Sequence, residues 1–200
     1  MPLFPYGETE IAHLSRRDKK LGAAIARIGM IEREITPDPF LALIRSVIAQ
    51  QISGKAARTV WGRLRENLPE LTPARIAAMA PAEIQQCGMS MRKATYIQGI
   101  GAAVLDGSLE VEKFHSLPDE EIIRQVSALH GLGVWTAEML LIFSLGRPDV
   151  VSWGDLAIRR GMCHLYGLRT LTKEQFARYR KRYAPYGSVA SFYLWTLSVE

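Results

Sequence analysis

The most informative stretch of this sequence is Leu129-His130-Gly131-Leu132-Gly133-Val134-Trp135-Thr136-Ala137. It lies between two segments whose apolar residues recur with the period of an α-helix. Its two glycines, one residue apart, allow a sharp backbone turn and leave backbone N–H groups uncovered by side chains. Thr136 adds a hydroxyl that can bond a backbone group or a phosphate. The pattern therefore predicts two helices joined by a tight hairpin that is suited to hold a phosphate.

A single aspartate, Asp155, follows the hairpin after one helix and one loop, and it directly precedes the apolar run Leu156-Ala157-Ile158. This position predicts a helix N-cap, where aspartate is strongly favoured. It also suits catalysis, because the helix dipole favours a negative charge there and a fixed carboxylate stabilises a cationic sugar in glycoside hydrolysis. The sequence leaves both roles open, and the two are compatible.

The composition is that of a globular protein: 200 residues, 48% hydrophobic, with a net charge of +5 that mildly favours an anionic partner. Two cysteines cannot hold a four-cysteine iron–sulfur cluster, and the four histidines lack the spacing of zinc ligands. We expect Cys87 and Cys163 to be buried thiols in a reducing compartment. Without a secretion signal or a membrane-length apolar run, a cytoplasmic location is expected.

The rest of the sequence also has helical periodicity, and we expect an all-α protein of roughly ten helices. An N-cap residue or a proline marks each predicted helix start. These starts are Asp38-Pro39, Ser53, Thr72-Pro73, Ser90, Pro118, Asp155, Thr172 and Ser188. Only the short segment 109–111 has an extended pattern.

Three further segments strengthen the hairpin and the aspartate. They are Ile48-Ala49-Gln50-Gln51-Ile52-Ser53, Gly88-Met89-Ser90-Met91-Arg92-Lys93-Ala94, and Tyr186-Gly187-Ser188-Val189-Ala190 through Trp195. Together and in this order, the segments resemble the helix-hairpin-helix (HhH-GPD) DNA glycosylase superfamily. Within it, the chain is most similar to the DNA-3-methyladenine glycosylase II family, from about residue 39 to the C-terminus.

This resemblance implies an all-α fold with two helical lobes and an active site in the cleft between them. Lobe one would span about residues 40–145 and contain the hairpin at 129–134, and lobe two would comprise about 1–39 plus 146–200. The whole chain, 1–200, would be a single glycosylase unit. The resemblance also implies a monomer that acts at the nucleoid on double-stranded DNA with damaged bases, with no membrane and no cofactor.

The resemblance also assigns roles to individual residues, with Asp155 as the catalytic carboxylate. Gln50 and Gln51 match the segment that enters the minor groove and fills the gap left by a flipped base. The DNA-binding residues would be Gln50, Gln51, Ser53, Arg92, Lys93, Gly131, Gly133 and Thr136. The carbonyls of Leu129 and Leu132 would hold a Na⁺ or K⁺ ion against bound DNA. The base pocket would be lined by Trp135, Met139, Trp153, Phe40 and Tyr6, although core packing is the better interpretation for Phe40 and Tyr6.

Trp135 stands where bifunctional relatives carry a Schiff-base lysine, so the resemblance implies a monofunctional enzyme that uses water as the nucleophile. Its substrates would be alkylated purines such as 3-methyladenine and 7-methylguanine. Trp153 and Gly154 replace a proline and an acidic residue common in the family, and Met139 replaces an aromatic residue of some relatives; these departures affect base preference. Two alternatives stay open: a glycosylase for an oxidised purine, mismatched adenine or uracil, and a non-catalytic DNA-binding module, which would not need Asp155.

Overall fold

The structure, a computed structural model, describes residues 2–200 and confirms the all-α fold class. Within that range there are twelve α-helices, one 3-10 helix at Val111–Ser116, and one isolated β-bridge between Leu3 and Glu34. The α-helices are α1 (Glu8–Arg17), α2 (Lys19–Ile28), α3 (Pro39–Ala49), α4 (Gly54–Asn67), α5 (Pro73–Ala78), α6 (Pro81–Gln85), α7 (Met91–Leu105), α8 (Asp119–Ala128), α9 (Val134–Phe143), α10 (Leu156–Tyr166), α11 (Lys173–Tyr183) and α12 (Gly187–Leu197).

Side-chain caps begin most of the predicted helices. In each case the side-chain oxygen of the N-cap accepts a hydrogen bond from the backbone N–H three residues later, which stabilises the helix start by about 0.5–2 kcal/mol. The caps are Asp38, Ser53, Thr72, Ser90, Asp155 and Thr172. These predicted starts are confirmed, and α12 begins at Gly187, one residue before the predicted start.

Two features of the structure differ from the expectation. The extended segment predicted at 109–111 is wrong, because the Leu109 N–H donates to the Ala103 carbonyl at 2.9 Å and a 3-10 helix starts at Val111. Leu109 and Val111 are both buried, so their alternation reflects a compact turn rather than a strand. The N-terminal helices α1 and α2 were not placed by the sequence pattern.

The chain divides into two compact units. One unit is Thr36–Leu140 and holds α3 to α8 with the hairpin. Its core side chains are fully buried, and each stabilises the fold by about 1.5–3 kcal/mol relative to an exposed position. They include Leu43, Ile44, Leu64, Ile76 and Ile97. A Cβ atom on Gly101 of α7 would lie 2.7 Å from the Ile76 side chain, so the glycine allows α5 to pack closely on α7.

The other unit combines the residues up to Ile35 with Leu141–Glu200. In it, α10 packs against α12 so closely that a Cβ atom on Gly161 would lie 2.0 Å from the Leu194 carbonyl oxygen. The unit boundary after Leu140 lies five residues before the predicted lobe boundary. The physical reason is that Phe143, near the end of α9, stacks on Trp195 with ring centroids 5.6 Å apart.

A buried hydrogen-bond network around Asp18 joins distant parts of this second unit. Asp18 caps α2 through the Lys20 and Leu21 N–H groups, and its other oxygen accepts from the Tyr166 hydroxyl at 2.7 Å and from Arg182 at 3.0 Å. Burial alone would raise the pKa of Asp18, but these hydrogen bonds outweigh it and leave the pKa below its usual value.

The cysteines, the helix lengths and the metal-binding side chains also relate to expectations from the sequence. Cys87 and Cys163 are both free thiols, and Cys163 is half-buried rather than buried as expected. No helix among residues 2–200 is long and apolar enough to cross a membrane. The same residues contain no cluster of three His, Cys, Asp or Glu side chains arranged to hold a metal ion.

Candidate active site and DNA-binding hairpin

The hairpin joins α8 to α9, and its two glycines serve different purposes. Gly131 has φ +82°, and a Cβ atom there would lie 2.2 Å from the Tyr96 ring, so the fold itself requires glycine. Gly133 is not in the left-handed region, and nothing lies within 4 Å of the position its Cβ atom would take. The fold therefore does not require glycine at 133, and the open space there suits the approach of a ligand to the backbone.

The hairpin is held together from inside by Thr136 and Gln50. Thr136 is buried, and its hydroxyl accepts a hydrogen bond from the Gln50 side-chain amide at 3.3 Å. The same amide donates to the Gly131 carbonyl, also at 3.3 Å. The sequence predicted a bond from the Thr136 hydroxyl to a backbone group or a phosphate. In the structure its partner is the side-chain amide of Gln50.

Gln51, the next residue, is exposed and has φ +57°, a left-handed backbone conformation that residues other than glycine rarely adopt. The end of α3 just before it is bound by Lys93, whose ammonium donates to the carbonyls of Ile48 and Gln50 at 2.7 Å each. Burial lowers the pKa of Lys93 below its usual value. Gln50, Gln51, Arg92 and Lys93 all line one pocket of about 390 Å³.

Asp155 lies in the other unit, at the N-cap of α10. Its Oδ1 accepts a hydrogen bond from the Ile158 N–H at 2.9 Å, and only 8% of the residue is exposed. The N-cap prediction is therefore confirmed. The carboxylate therefore lies at the positive end of the α10 dipole, and this hydrogen bond fixes its orientation.

Trp153, two residues before Asp155, is held on two sides. Its ring meets the Phe176 ring edge-on at 5.2 Å, and the Arg159 guanidinium lies 5.0 Å from its centroid. Arg159 was missed by the sequence prediction, although its position one helical turn after Asp155 is a signal that could have indicated it. Tyr96, which packs on the hairpin, was also missed, and its separation in sequence from Gly131 left no local signal.

The other base-pocket candidates are placed as follows. Phe40 is 3% exposed in the core of the Thr36–Leu140 unit, and Met139 is buried on α9, which also carries Trp135. Tyr6 belongs to the second unit, where its hydroxyl accepts from the Ile31 N–H at 2.9 Å and its ring lies 6.0 Å from Phe192. Phe40 is thus buried in the core and Tyr6 is half-buried, and the base-pocket role of both stays a prediction.

Of the remaining DNA-binding candidates, Ser53 caps α4 by accepting from the Ala56 N–H, and Arg92 is exposed on the first turn of α7. The structure therefore groups Gln50, Gln51, Lys93 and the hairpin within one unit. It places Asp155, Trp153 and Arg159 together within the other.

Comparison with known proteins gives a consistent result. The family described as HhH-GPD superfamily base excision DNA repair protein matches residues 44–185. DNA-3-methyladenine glycosylase 1 of Schizosaccharomyces pombe is 36% identical over 166 residues, which cover 80% of this chain and 73% of that protein.

Two solved structures are also similar. The S. pombe 3-methyladenine DNA glycosylase Mag1 in complex with abasic DNA has a TM-score of 0.86 and 32% identity, covering 94% of this chain and 96% of that one. A DNA-3-methyladenine glycosidase from Bacillus halodurans has a TM-score of 0.83 and 32% identity, covering 99% and 93% of the two chains. The family match covers well over half of the sequence, and this chain therefore belongs to the HhH-GPD superfamily of base excision DNA repair proteins.

Proposed function

We propose that this protein is a monofunctional DNA N-glycosylase that flips alkylated purines out of DNA and hydrolyses their glycosidic bonds. The observation that carries the proposal is Asp155, a nearly buried carboxylate fixed at the N-terminus of α10 by its hydrogen bond to Ile158. A negative charge held there stabilises the positive charge that develops on the sugar in the transition state. The names of the similar proteins support alkylated bases as the substrates.

The chemistry requires little acid catalysis if the base is already cationic, as N3- and N7-alkylated purines are. The C1′–N bond breaks, the base leaves with the electron pair, water forms the new C1′–O bond, and its proton passes to solvent. Aromatic stacking suits such a base. The Arg159 guanidinium beside Trp153 would repel a cationic base, so Trp135 is the better candidate for stacking.

The monofunctional assignment rests on the amines that the chain offers. Trp135 carries no amine at the position where bifunctional relatives form a Schiff base. The ammonium of Lys93 is occupied by two backbone carbonyls. The product is therefore expected to be an intact strand with an abasic site.

The hairpin is proposed to bind a DNA backbone phosphate near Gly133. The open space at Gly133 and the N-terminus of α9 favour a phosphate at this position. The exposed Gln51 is proposed to fill the gap left by the flipped base, and Arg92 is available for a second phosphate contact. Gln50, which is half-buried, and the Thr136 hydroxyl are joined by a hydrogen bond that supports this surface, and both stay predicted DNA-binding residues.

A Na⁺ or K⁺ ion is proposed to join the hairpin to bound DNA through the carbonyls of Leu129 and Leu132. The Leu129 carbonyl accepts the Leu132 N–H at 3.2 Å, and a carbonyl has a second lone pair. Replacing potassium chloride by tetramethylammonium chloride at equal ionic strength should weaken DNA binding, and unchanged affinity would contradict the cation site.

The test of the function is base release from methylated duplex DNA, in competition with duplexes that contain 8-oxoguanine or uracil. We expect release of 3-methyladenine and 7-methylguanine and slower excision of the neutral lesions. Faster excision of a neutral lesion would overturn the substrate assignment alone, and DNA binding with no release of any base would indicate a non-catalytic module. Sedimentation of the complex should show one protein chain per lesion, because we propose a monomer as the active unit.

A further inference from the structure

The left-handed conformation at Gln51 must be held by its surroundings. Gln51 is the one non-glycine residue with a positive φ among residues 2–200, and its side chain is exposed, so packing of that side chain does not hold it. The backbone turns sharply here, because α3 ends at Ala49 and the following residue, Gln50, has φ −53° and ψ 126°. Whatever fixes the end of α3 therefore also fixes the direction in which Gln51 projects.

Lys93 supplies one such fixing contact. Its ammonium bonds two carbonyls at the C-terminal end of α3, those of Ile48 and Gln50, at 2.7 Å each. A cation is favoured at a helix C-terminus, where carbonyls lack partners and the dipole is negative. These two bonds hold the backbone on the N-terminal side of Gln51.

Gln50 supplies a second contact, through its side chain. The Gln50 amide donates to the Gly131 carbonyl and to the Thr136 hydroxyl, both at 3.3 Å. Gln50 is therefore bound through its main chain by Lys93 and through its side chain by the hairpin. The turn that carries Gln51 and the hairpin that offers Gly133 are joined by this one residue.

We propose that Lys93 and Gln50 form a brace that fixes Gln51 relative to the hairpin. The gap-filling side chain of Gln51 and the phosphate contact at Gly133 then keep a fixed separation when DNA binds. Lys93 is then a positioning residue and not a phosphate ligand. The inference rests on the proposed function for the role of Gln51.

The resemblance implies a direct phosphate contact for Lys93, and such a contact would have to compete with its two bonds to α3. An ammonium has three donors, and two of those of Lys93 already bond carbonyls. Movement of the ammonium to a phosphate would leave the end of α3 without these partners. Its neighbour Arg92 is exposed and can reach solvent without breaking any such contact.

The salt dependence of DNA binding distinguishes a lysine that contacts a DNA phosphate from one that only positions other residues. Removing one phosphate contact lowers the slope of log K against log salt concentration by about 0.9. We expect Lys93→Met to weaken binding of abasic duplex DNA about tenfold with an unchanged slope, whereas Arg92→Met lowers the slope. Lys113→Met is the charge-matched control, because the Lys113 side chain is 63% exposed and pairs with Glu110 at the surface. A slope lowered by about 0.9 in Lys93→Met would overturn the brace.

A double-mutant cycle on excision tests whether Lys93 acts through Gln51. Lys93→Met and Gln51→Ala should each reduce single-turnover excision about tenfold, and the double variant should lose no more than about threefold beyond either one. Lys93→Arg, which keeps the charge and the donors, should restore most of the rate. Fully multiplicative losses, or no rescue by arginine, would overturn the brace.

Gln50→Leu provides a test that does not depend on Lys93→Met folding. It removes the amide donors at similar size and should reproduce the reduced excision with an unchanged salt slope. The Gln50 and Ile52 N–H groups donate to the Val47 and Ala49 carbonyls at the end of α3. Their amide hydrogen exchange should accelerate at least tenfold in Lys93→Met or Gln50→Leu, and unchanged exchange in both would overturn the brace. If the wild-type protein binds DNA but releases no alkylated base, the proposed function fails, while the exchange measurement still decides the brace.

Discussion

Replacing Asp155 by asparagine should separate its two roles, because the structure shows the carboxylate acting as a helix cap. Its Oδ1 accepts the Ile158 N–H at 2.9 Å, and an asparagine Oδ1 can accept the same bond. Asparagine and aspartate are about equally good N-caps, so Asp155→Asn should keep the cap bond and lose the charge–dipole interaction with α10, about 0.3–1 kcal/mol of stability. Asp155→Ala also loses the cap bond and should cost about 0.5–2 kcal/mol.

Catalysis should respond to the charge alone. Removing one preorganised electrostatic group from an active site typically costs a factor of about 10²–10³ in rate, or about 2.7–4 kcal/mol. Asp155→Asn and Asp155→Ala should therefore lose at least about 100-fold in base release to a similar extent. The two variants should therefore differ from each other in stability but not in activity.

The assay combines single-turnover release of 7-methylguanine with urea unfolding and with binding to abasic DNA. Asp38 is the matched control, because it caps α3 by the same bond, from Leu41 N–H at 3.1 Å. Asp38→Asn and Asp38→Ala should reproduce the stability pattern and keep wild-type excision. A folded Asp155→Asn protein with substantial turnover would refute the catalytic role, and parallel loss of excision in the Asp38 variants would show that capping alone explains the effect.

Other expected outcomes follow from the same structure. Gly133→Arg should weaken binding to damaged and undamaged DNA alike with little loss of stability. Gly131→Ala should destabilise the fold, because its Cβ atom would overlap the Tyr96 ring. Equal loss of stability in the two variants would contradict this. Borohydride should trap no covalent enzyme–DNA complex, and strand breaks should need added alkali, since Trp135 offers no amine; a trapped complex would refute this. Asp18→Asn should destabilise the protein in urea unfolding at neutral pH. Folding lowers the pKa of Asp18, so the stabilisation by its carboxylate is complete above pH 3.8 and is lost as the pH falls through the pKa of the folded protein. A stability difference between Asp18→Asn and wild type that persists well below pH 3.8 would contradict this.

Much of the helical layout could be predicted because helix caps are local. The hydrogen bonds at Ser53, Ser90 and Asp155 each join residues three apart, so the residue type and the apolar pattern that follows carry the signal. The helices α1 and α2 were missed because Asp18 both ends one and caps the other, which leaves no loop to mark a boundary. The segment at 109–111 was misassigned because burial in a turn imitates the alternation of a strand.

The functional residues that the sequence predicted also belong to local patterns. The hairpin and Asp155 were found from adjacent residues, because glycine spacing and an aspartate before an apolar run are local patterns. The side-chain partners of these groups were not found. Trp153 was named as a base-pocket residue, but its contact with Arg159 was not, because it depends on how α10 turns after Asp155. The packing of Tyr96 on Gly131 had no local signal in the sequence.

Local sequence patterns predicted most helix starts from α3 onward, the hairpin and the placement of a carboxylate at a helix N-terminus, since each depends on groups within about four residues of one another. The packing of the helices was needed to show that Gln50 supports the hairpin, 81 residues away in sequence, and that Lys93 binds the end of α3, 43 residues from Gln50. It also decided that the fold requires glycine at 131 and not at 133. The physical reason is that such partners are chosen by how helices pack, and packing brings together residues whose separation along the chain carries no periodic signal.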